Sequence, residues 1–441
     1  MSQAIHQVEA KVTQLSARRE PGSRVADLLR GAWRQSPPAT SVDLSEAQLN
    51  DILPLLLESG AAALAWWQLR ATPLAETVAG RALHDAYRRF RLSARVHERE
   101  LAHVFALLRA QGIEPVLVKG WASARLYPDA ALRPYGDLDL CVAPSEFVRA
   151  RATLKCLEDL PGHFVDLHSG FSRIGQTKEQ EGYRTFRRLR RVLNRRDDTR
   201  LWEQLFSRSQ VVSLTSAPEA LATGPEFQNS IRVLCPEDHL RLLSAHLLRS
   251  GARRPAWLCD IAVLLESRRR DFNWDIAFAE TQAQTRNWLA TTIALAEDLL
   301  GADCGERPEF ARAGSLPRWL APAVVAEWGK VSEVGRQMSD VRCEMSDLGA
   351  SLAALPARSR YARWHNPIRA TAAVGGQFND WPRLPYQLGE LFLRLPELPK
   401  QLHSLWQQRR YPKGNARDRG EPVLGPACAE GTVAGLQSSI F

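Results

Sequence analysis

The sequence predicts an α+β protein, with a small sheet in the middle of the chain and helical regions before and after it. Three observations carry this prediction. Short β-branched runs alternate with short helical patterns from residue 113 to residue 168. Long stretches on either side show helical spacing and helix-start residues. The chain has 441 residues, too many for one ordinary domain, which points to two or three.

Composition narrows the classes. The formal net charge of +9, most of it arginine, favours anionic partners such as nucleotides, nucleic acid or acidic lipid without choosing among them. The seven cysteines form no Cys-x-x-Cys pair and are odd in number, which argues against a disulfide framework and a structural zinc site. Reduced, buried cysteines in a cytoplasmic protein are the simpler expectation. The first residues, "MSQAIHQVEAKVTQ", contain no apolar signal-peptide core. The most apolar run, "ILPLLLESGAAALAWW", is interrupted by Glu58 and too short to span a bilayer.

In chain order, residues 1–40 are polar and arginine-rich and read as a mobile arm with one short helix. Residues 41–112 read as helical. Ser45 and Gln48 have the spacing of a capping box, opening one helix over "EAQLNDILPLLLESGAAALAWWQLR". A second helix is expected from Thr77 to Ala110, with Leu92, Val96, Leu101, Val104, Phe105 and Leu108 as its apolar stripe and Gly112 beyond its end.

Residues 113–235 carry the sheet. Strands are expected in "IEPVLVKG", "DLDLCV", "GHFVDLH", "SQVVSL" and "NSIRVLC". "WASARLY" fits a short helix, "PDAALRPYG" a loop, and "PSEFVRARATLKCLEDL" a helix with Pro144 at its start. An arginine-rich insert lies at 182–200. There Phe186, Leu189, Val192 and Leu193 would form an apolar stripe, and the arginines either a solvated face or an anion-binding one. Residues 236–345 read as a helical domain opened by "PEDHLRLLSAHLL" and continued by "PAWLCDIAVLLESRR" and "WDIAFAETQAQTRNWLATTIALAEDLLG". Residues 346–441 form an extension rich in proline and arginine, with a disordered tail expected from about 411.

The chemistry concentrates in "VKGWASARLYPDAALRPYGDLDLCV", residues 118–142. Residues two apart in a strand share a face, so Asp137 and Asp139 project together, about 6–7 Å apart along the strand. Two such carboxylates repel each other unless a cation sits between them, and oxygen ligands suit Mg²⁺ or Mn²⁺. Asp166 in "VDLH" is a third carboxylate that reaches the same place if its strand is a neighbour. His168 shares its face and would orient that carboxylate or a substrate, or else be a satisfied buried histidine. Lys119 and Arg133 are candidates for holding phosphate charge. Equally, Lys119 closes a strand in solvent and Arg133 pairs with Asp129. Capping and core hydrogen bonds account for Asp238 and Asp260, and no metal site is expected among them and His239 and His246.

The whole pattern resembles the nucleotidyltransferase superfamily of the DNA polymerase β type. It is closest to a bacterial branch usually labelled uncharacterised nucleotidyltransferase family 5. The residues that carry the resemblance are "VKGWASARLYPDAALRPYGDLDLCV", "VDLH" at 165–168, "VLCPEDHLRLLSAHLL" at 233–248 and "WLCDIAVLL" at 257–265. It spans roughly residues 45–300. The chain departs from the superfamily where Gly120 is followed by Trp121 instead of serine, leaving Ser123 as the nearest hydroxyl.

The resemblance implies a small mixed-sheet polymerase β-type core flanked by helical regions. It implies an enzyme that moves a nucleoside monophosphate from an NTP, with ATP the first choice, to a hydroxyl of an acceptor, releasing pyrophosphate. Asp137, Asp139 and Asp166 would be catalytic and would hold Mg²⁺ or Mn²⁺. Lys119, Gly120, Ser123, Arg133 and Gly136 would bind the nucleotide. Relatives often neighbour genes for peptide or polysaccharide tailoring, which favours a small-molecule or modified-peptide acceptor over nucleic acid. Two alternatives are an Asp-x-Asp glycosyltransferase using a sugar nucleotide and a non-catalytic nucleotide- or partner-binding relic. A haloacid-dehalogenase-type phosphatase is disfavoured because Leu-Cys follows Asp139.

Overall fold

Among the described residues, five strands form where the short β-branched runs lie: β1 (Val116–Leu117), β2 (Leu138–Val142), β3 (Val165–Ser169), β4 (Gln210–Ser213) and β5 (Ser230–Val233). The computed structural model describes residues 20–36, 44–158, 165–171, 195–214, 230–268, 272–278, 283–311, 316–330 and 366–394. The strands make one sheet in the order β3-β2-β1-β5-β4. β2 runs parallel to β3 and antiparallel to β1; β5 runs parallel to β1 and antiparallel to β4. The sheet is therefore mixed, and the class is α+β.

The helices, in chain order, are α1 (Pro21–Leu29), α2 (Glu46–Ser59), α3 (Ala62–Leu69), α4 (Val78–Ala110), α5 (Trp121–Ala124), α6 (Phe147–Glu158) and α7 (Arg195–Arg208). After the sheet come α8 (Pro236–Arg249), α9 (Pro255–Ser267), α10 (Trp274–Phe278), α11 (Ala283–Leu300), α12 (Leu320–Trp328), α13 (Pro367–Ala373) and α14 (Leu384–Arg394).

Alternate strand residues serve two different cores, as the pleat requires. Leu117, Leu138, Leu140, Val142, Ile231 and Val233 pack with Leu101, Val104, Phe105 and Leu108 of α4 and Ala150 and Leu154 of α6. Val116, Val118 and Cys141 face the other way, among Phe171, Trp202 of α7 and Leu242 of α8. A third and larger core joins α1, α2, α3 and the first half of α4 to α8, α9, α11 and α12.

Helix boundaries follow local chemistry. The Ser45–Gln48 capping box opens α2: the Ser45 hydroxyl accepts from the Gln48 N–H (3.2 Å) and the Gln48 side chain accepts from the Ser45 N–H (2.8 Å). The Thr77 hydroxyl caps α4 by accepting from the Gly80 N–H (3.1 Å). The single helix expected over 46–70 is two. Gly60 adopts a left-handed φ of 77°, ends α2 and redirects the chain into α3. Pro144 does not open α6. Residues 144–146 form a turn, with the Glu146 N–H donating to the Ala143 carbonyl at 2.9 Å, and the helix begins at Phe147. On α4, Leu101, Val104, Phe105 and Leu108 are buried as expected, but Leu92 and Val96 are 71% and 59% exposed.

Part of the segment expected as a mobile arm is ordered, and among the described residues its one short helix is α1. Residues 20–36 are packed, with Leu28, Leu29 and Trp33 buried in the large core. The Trp33 indole N–H and the Arg34 guanidinium both donate to the Glu266 carboxylate at the end of α9, at 2.7–3.0 Å. Residues 1–19, the arginine-rich insert up to 194 and everything after 394 lie outside the described residues, and with them the Phe186, Leu189, Val192 and Leu193 stripe and the tail expected from about 411. Cys141, Cys235, Cys259 and Cys304 are free and buried. No described helix is long and apolar enough to cross a membrane.

Candidate active site

β2 and β3 are neighbours, and their parallel register sets Asp139 directly beside Asp166 and Cys141 beside His168. Neighbouring residues in register share a sheet face, so Asp139, Asp166 and His168 project together. This is the face opposite the α4–α6 core, because Leu138 and Leu140 take that one. His168 Nε2 lies 3.2 Å from Asp139 Oδ1 and 3.6 Å from Asp166 Oδ2. One ligand atom from each of the three residues lies within 4.8 Å of the others. Asp139 is almost wholly buried, whereas the Asp166 side chain is 41% exposed. The site is thus closed below and open on the Asp166 side.

Asp137 precedes the strand and is exposed, and it stands outside that three-residue group. It still belongs to the same electrostatic neighbourhood. Its pKa is raised, first by the protein surrounding it, then by the charge of Asp139, with Asp166 adding and Lys119 and Arg133 opposing. Asp139 behaves in the opposite way. Burial alone would raise its pKa, but hydrogen bonding to His168 and the Lys119 ammonium overcome this and hold it down at about 2. Lys119 Nζ sits 2.7 Å from Asp139 Oδ1, the oxygen that also faces His168.

The Gly120 turn closes the site from the β1 side. Gly120 has φ 62° and opens the short helix α5. A Cβ there would meet the Asp137 carbonyl oxygen at 3.1 Å and the Tyr135 ring at 3.2 Å. Both the backbone conformation and the close approach require glycine. Gly136 is different, because a Cβ at that position would meet open space.

Two expected nucleotide ligands are committed elsewhere. Arg133 does not pair with Asp129. Its Nε and Nη2 donate to both oxygens of Asp260 on α9 at 2.8–3.0 Å, and its Nη1 donates to the Pro134 carbonyl. Burial disfavours the guanidinium charge and the Asp260 carboxylate restores it. The Tyr127 hydroxyl completes the cluster by donating to Asp260 Oδ1 at 2.9 Å. With these donors engaged and 9% of its surface exposed, Arg133 ties the 127–137 loop to α9. Ser123 is fully buried, 3.4 Å from His239 Nε2, and its hydroxyl does not reach the open side of the site. Asp129 instead accepts from the Tyr87 hydroxyl (2.7 Å) and the Ala131 N–H (2.9 Å).

Sequence reasoning assigned Asp260 to core hydrogen bonding but could not name its partner. An ionisable residue in the apolar run "WLCDIAVLL" is itself a signal that a buried cation comes from elsewhere in the chain.

The residues present fit a divalent cation. Two carboxylates and one imidazole converge, with one flank open to solvent and the charge of Asp137 coupled to them.

A family model described as uncharacterised nucleotidyltransferase matches residues 45–301, more than half of the chain. The chain belongs to that family. The match begins at the Ser45 cap of α2 and ends just after α11, so this nucleotidyltransferase family region contains the sheet, the aspartates, the Gly120 turn and the Arg133–Asp260 brace. No curated protein and no solved structure matches the chain.

Proposed function

We infer that the chain is a metal-dependent nucleotidyltransferase of the polymerase β type, transferring a nucleoside monophosphate from an NTP to a hydroxyl of a small-molecule or modified-peptide acceptor. The observation that carries this reading is the register pairing of Asp139 with Asp166 on adjacent parallel strands, with Asp137 one step before the strand. Membership of a nucleotidyltransferase family supports the reaction class.

A divalent ion such as Mg²⁺ or Mn²⁺ held by Asp139 and Asp166, with Asp137 and His168 beside it, would neutralise triphosphate charge and polarise the α-phosphate. The protein's own groups supply the rest. Asp166, on the open flank, takes the proton of the acceptor hydroxyl. The hydroxyl oxygen forms a bond to the α-phosphorus as the bond from that phosphorus to the bridging oxygen of the β-phosphate breaks, and pyrophosphate leaves with the electron pair. Gly120 lets backbone approach a phosphate, and the open space before Gly136 admits the ligand beside Asp137. Arg133, tied to Asp260, fixes the loop that presents Asp137.

The test uses each NTP labelled on the α-phosphate, a fractionated extract as acceptor source, and the full chain. Label should move to one fraction as pyrophosphate appears, with ATP the first nucleotide to try. Asp139→Asn should lower the rate roughly a thousandfold. Release of a nucleoside diphosphate from a sugar nucleotide would point to glycosyl transfer, and turnover unaffected by Asp139→Asn would remove these carboxylates from the mechanism.

A further inference from the structure

Lys119 stands where an incoming cation would have to go. Its Nζ is 2.7 Å from Asp139 Oδ1, and that same oxygen is 3.2 Å from His168 Nε2. The atoms of Asp139, Asp166 and His168 that converge on the site span at most 4.8 Å. A divalent ion bound through Asp139 Oδ1 would sit about 2.0–2.2 Å from that oxygen. Two positive centres cannot share one carboxylate oxygen at such distances without strong repulsion.

The surrounding charges make Lys119 the group that yields. Asp139 and Asp166 converge here, and the charge of Asp137 acts on the same region. Arg133 is held by both oxygens of Asp260 in a buried pair and cannot be released without stranding two charges. Lys119 has one carboxylate partner, a side chain 18% exposed and a four-carbon stem that swings at little cost. It immediately precedes Gly120, whose left-handed turn leads into α5. An ammonium leaving Asp139 therefore stays beside the turn where backbone can approach an anion.

We propose that Lys119 is an exchangeable counter-ion: it neutralises Asp139 in the empty site, gives up that oxygen to the divalent ion, and then pairs with the phosphate tail of the nucleotide. This extends the nucleotidyltransferase reading and rests on it. Its consequence is thermodynamic. Metal and nucleotide each make room for the other, so each raises the other's affinity by the same factor.

The test measures binding and needs no turnover. Mn²⁺ affinity of the full chain is determined by calorimetry or electron paramagnetic resonance for the wild type, Lys119→Met and Asp139→Asn, each alone and with a non-hydrolysable NTP analogue. Removing the competing ammonium should tighten Mn²⁺ binding without nucleotide about tenfold. It should also shrink the mutual enhancement between Mn²⁺ and the analogue towards unity. Weaker or unchanged Mn²⁺ binding by Lys119→Met overturns the proposal.

Asp139→Asn separates this failure from that of the underlying reading. If the wild type binds no Mn²⁺ that Asp139→Asn abolishes, the metal site itself is wrong and the exchange falls with it. A measurement on the wild type guards against a variant that does not fold. With ¹³C-labelled lysine, the Lys119 side-chain resonance, assigned by its loss in Lys119→Arg, should move towards the free-lysine position as Mg²⁺ is added. A resonance that stays in place as Mg²⁺ saturates the site also overturns the proposal.

Discussion

Arg133 and Asp260 show how much one residue pair holds. They are 127 positions apart, both nearly inaccessible, and joined by three short hydrogen bonds. Breaking a buried pair leaves an uncompensated charge, at a cost of about 3–5 kcal/mol, while replacing both ends with apolar groups of similar volume is often neutral. Asp260→Asn should therefore lower the thermal midpoint sharply, and Arg133→Met with Asp260→Leu should recover most of it. Equal loss in the single and double variants would mean that shape, not charge, dominates. Because the pair braces the loop, the double variant should remain folded yet work poorly. The same residues mark the limit of sequence reading. The direction of Asp139 was legible because strand alternation fixes it, whereas the place of Asp166 depended on its strand being a neighbour, which local pattern left open. The partner of Arg133 was not, because nothing local distinguishes Asp260 from nearby Asp129.

Elements were legible where chemistry is local and obscure where tertiary packing decides. The strands showed as short β-branched runs, and the starts of α2, α4 and α8 showed through Ser45, Thr77 and Pro236, each acting within one turn. Leu92 and Val96 carry the helical period without a core to meet, so periodicity overstated the buried stripe. The packed segment 20–36 was missed for the reverse reason. Its arginines suggested solvent, but Arg34 pairs with Glu266 and Arg30 donates to the Asp298 carbonyl at 2.7 Å. Trp33 anchors this element, 2% exposed, with its indole N–H on Glu266 at 2.9 Å. Trp33→Ala should cost about 3–5 kcal/mol, because it opens a large cavity and removes a donor to a partly buried carboxylate. Urea unfolding at neutral pH measures this, and a loss below about 1 kcal/mol would return α1 to the status of a loose appendage.

At the scale of the whole molecule, the helical half faces the sheet with two histidines that are kept uncharged. Burial pushes His239 and His246 down to about 3; Arg125 and Arg133 add to this for His239, and Lys119 adds for His246. In the unfolded chain both take protons below about pH 6.5. Between about pH 6.5 and about pH 3 the unfolded state thus binds more protons, and stability falls as pH drops through that window. The slope should approach about 1.4 kcal/mol per pH unit for each histidine. Unfolding free energies measured between about pH 7 and about pH 5 should show it, and His239→Leu should flatten part of it; a level wild-type profile would mean that one or both rings are solvated. The brace between the 127–137 loop and α9 has a further consequence, for descent. A change at position 133 or 260 alone strands a buried charge, so the two sites should be inherited as a unit: in related chains they should vary together or not at all, and a lineage that loses one end should be found to have neutralised the other.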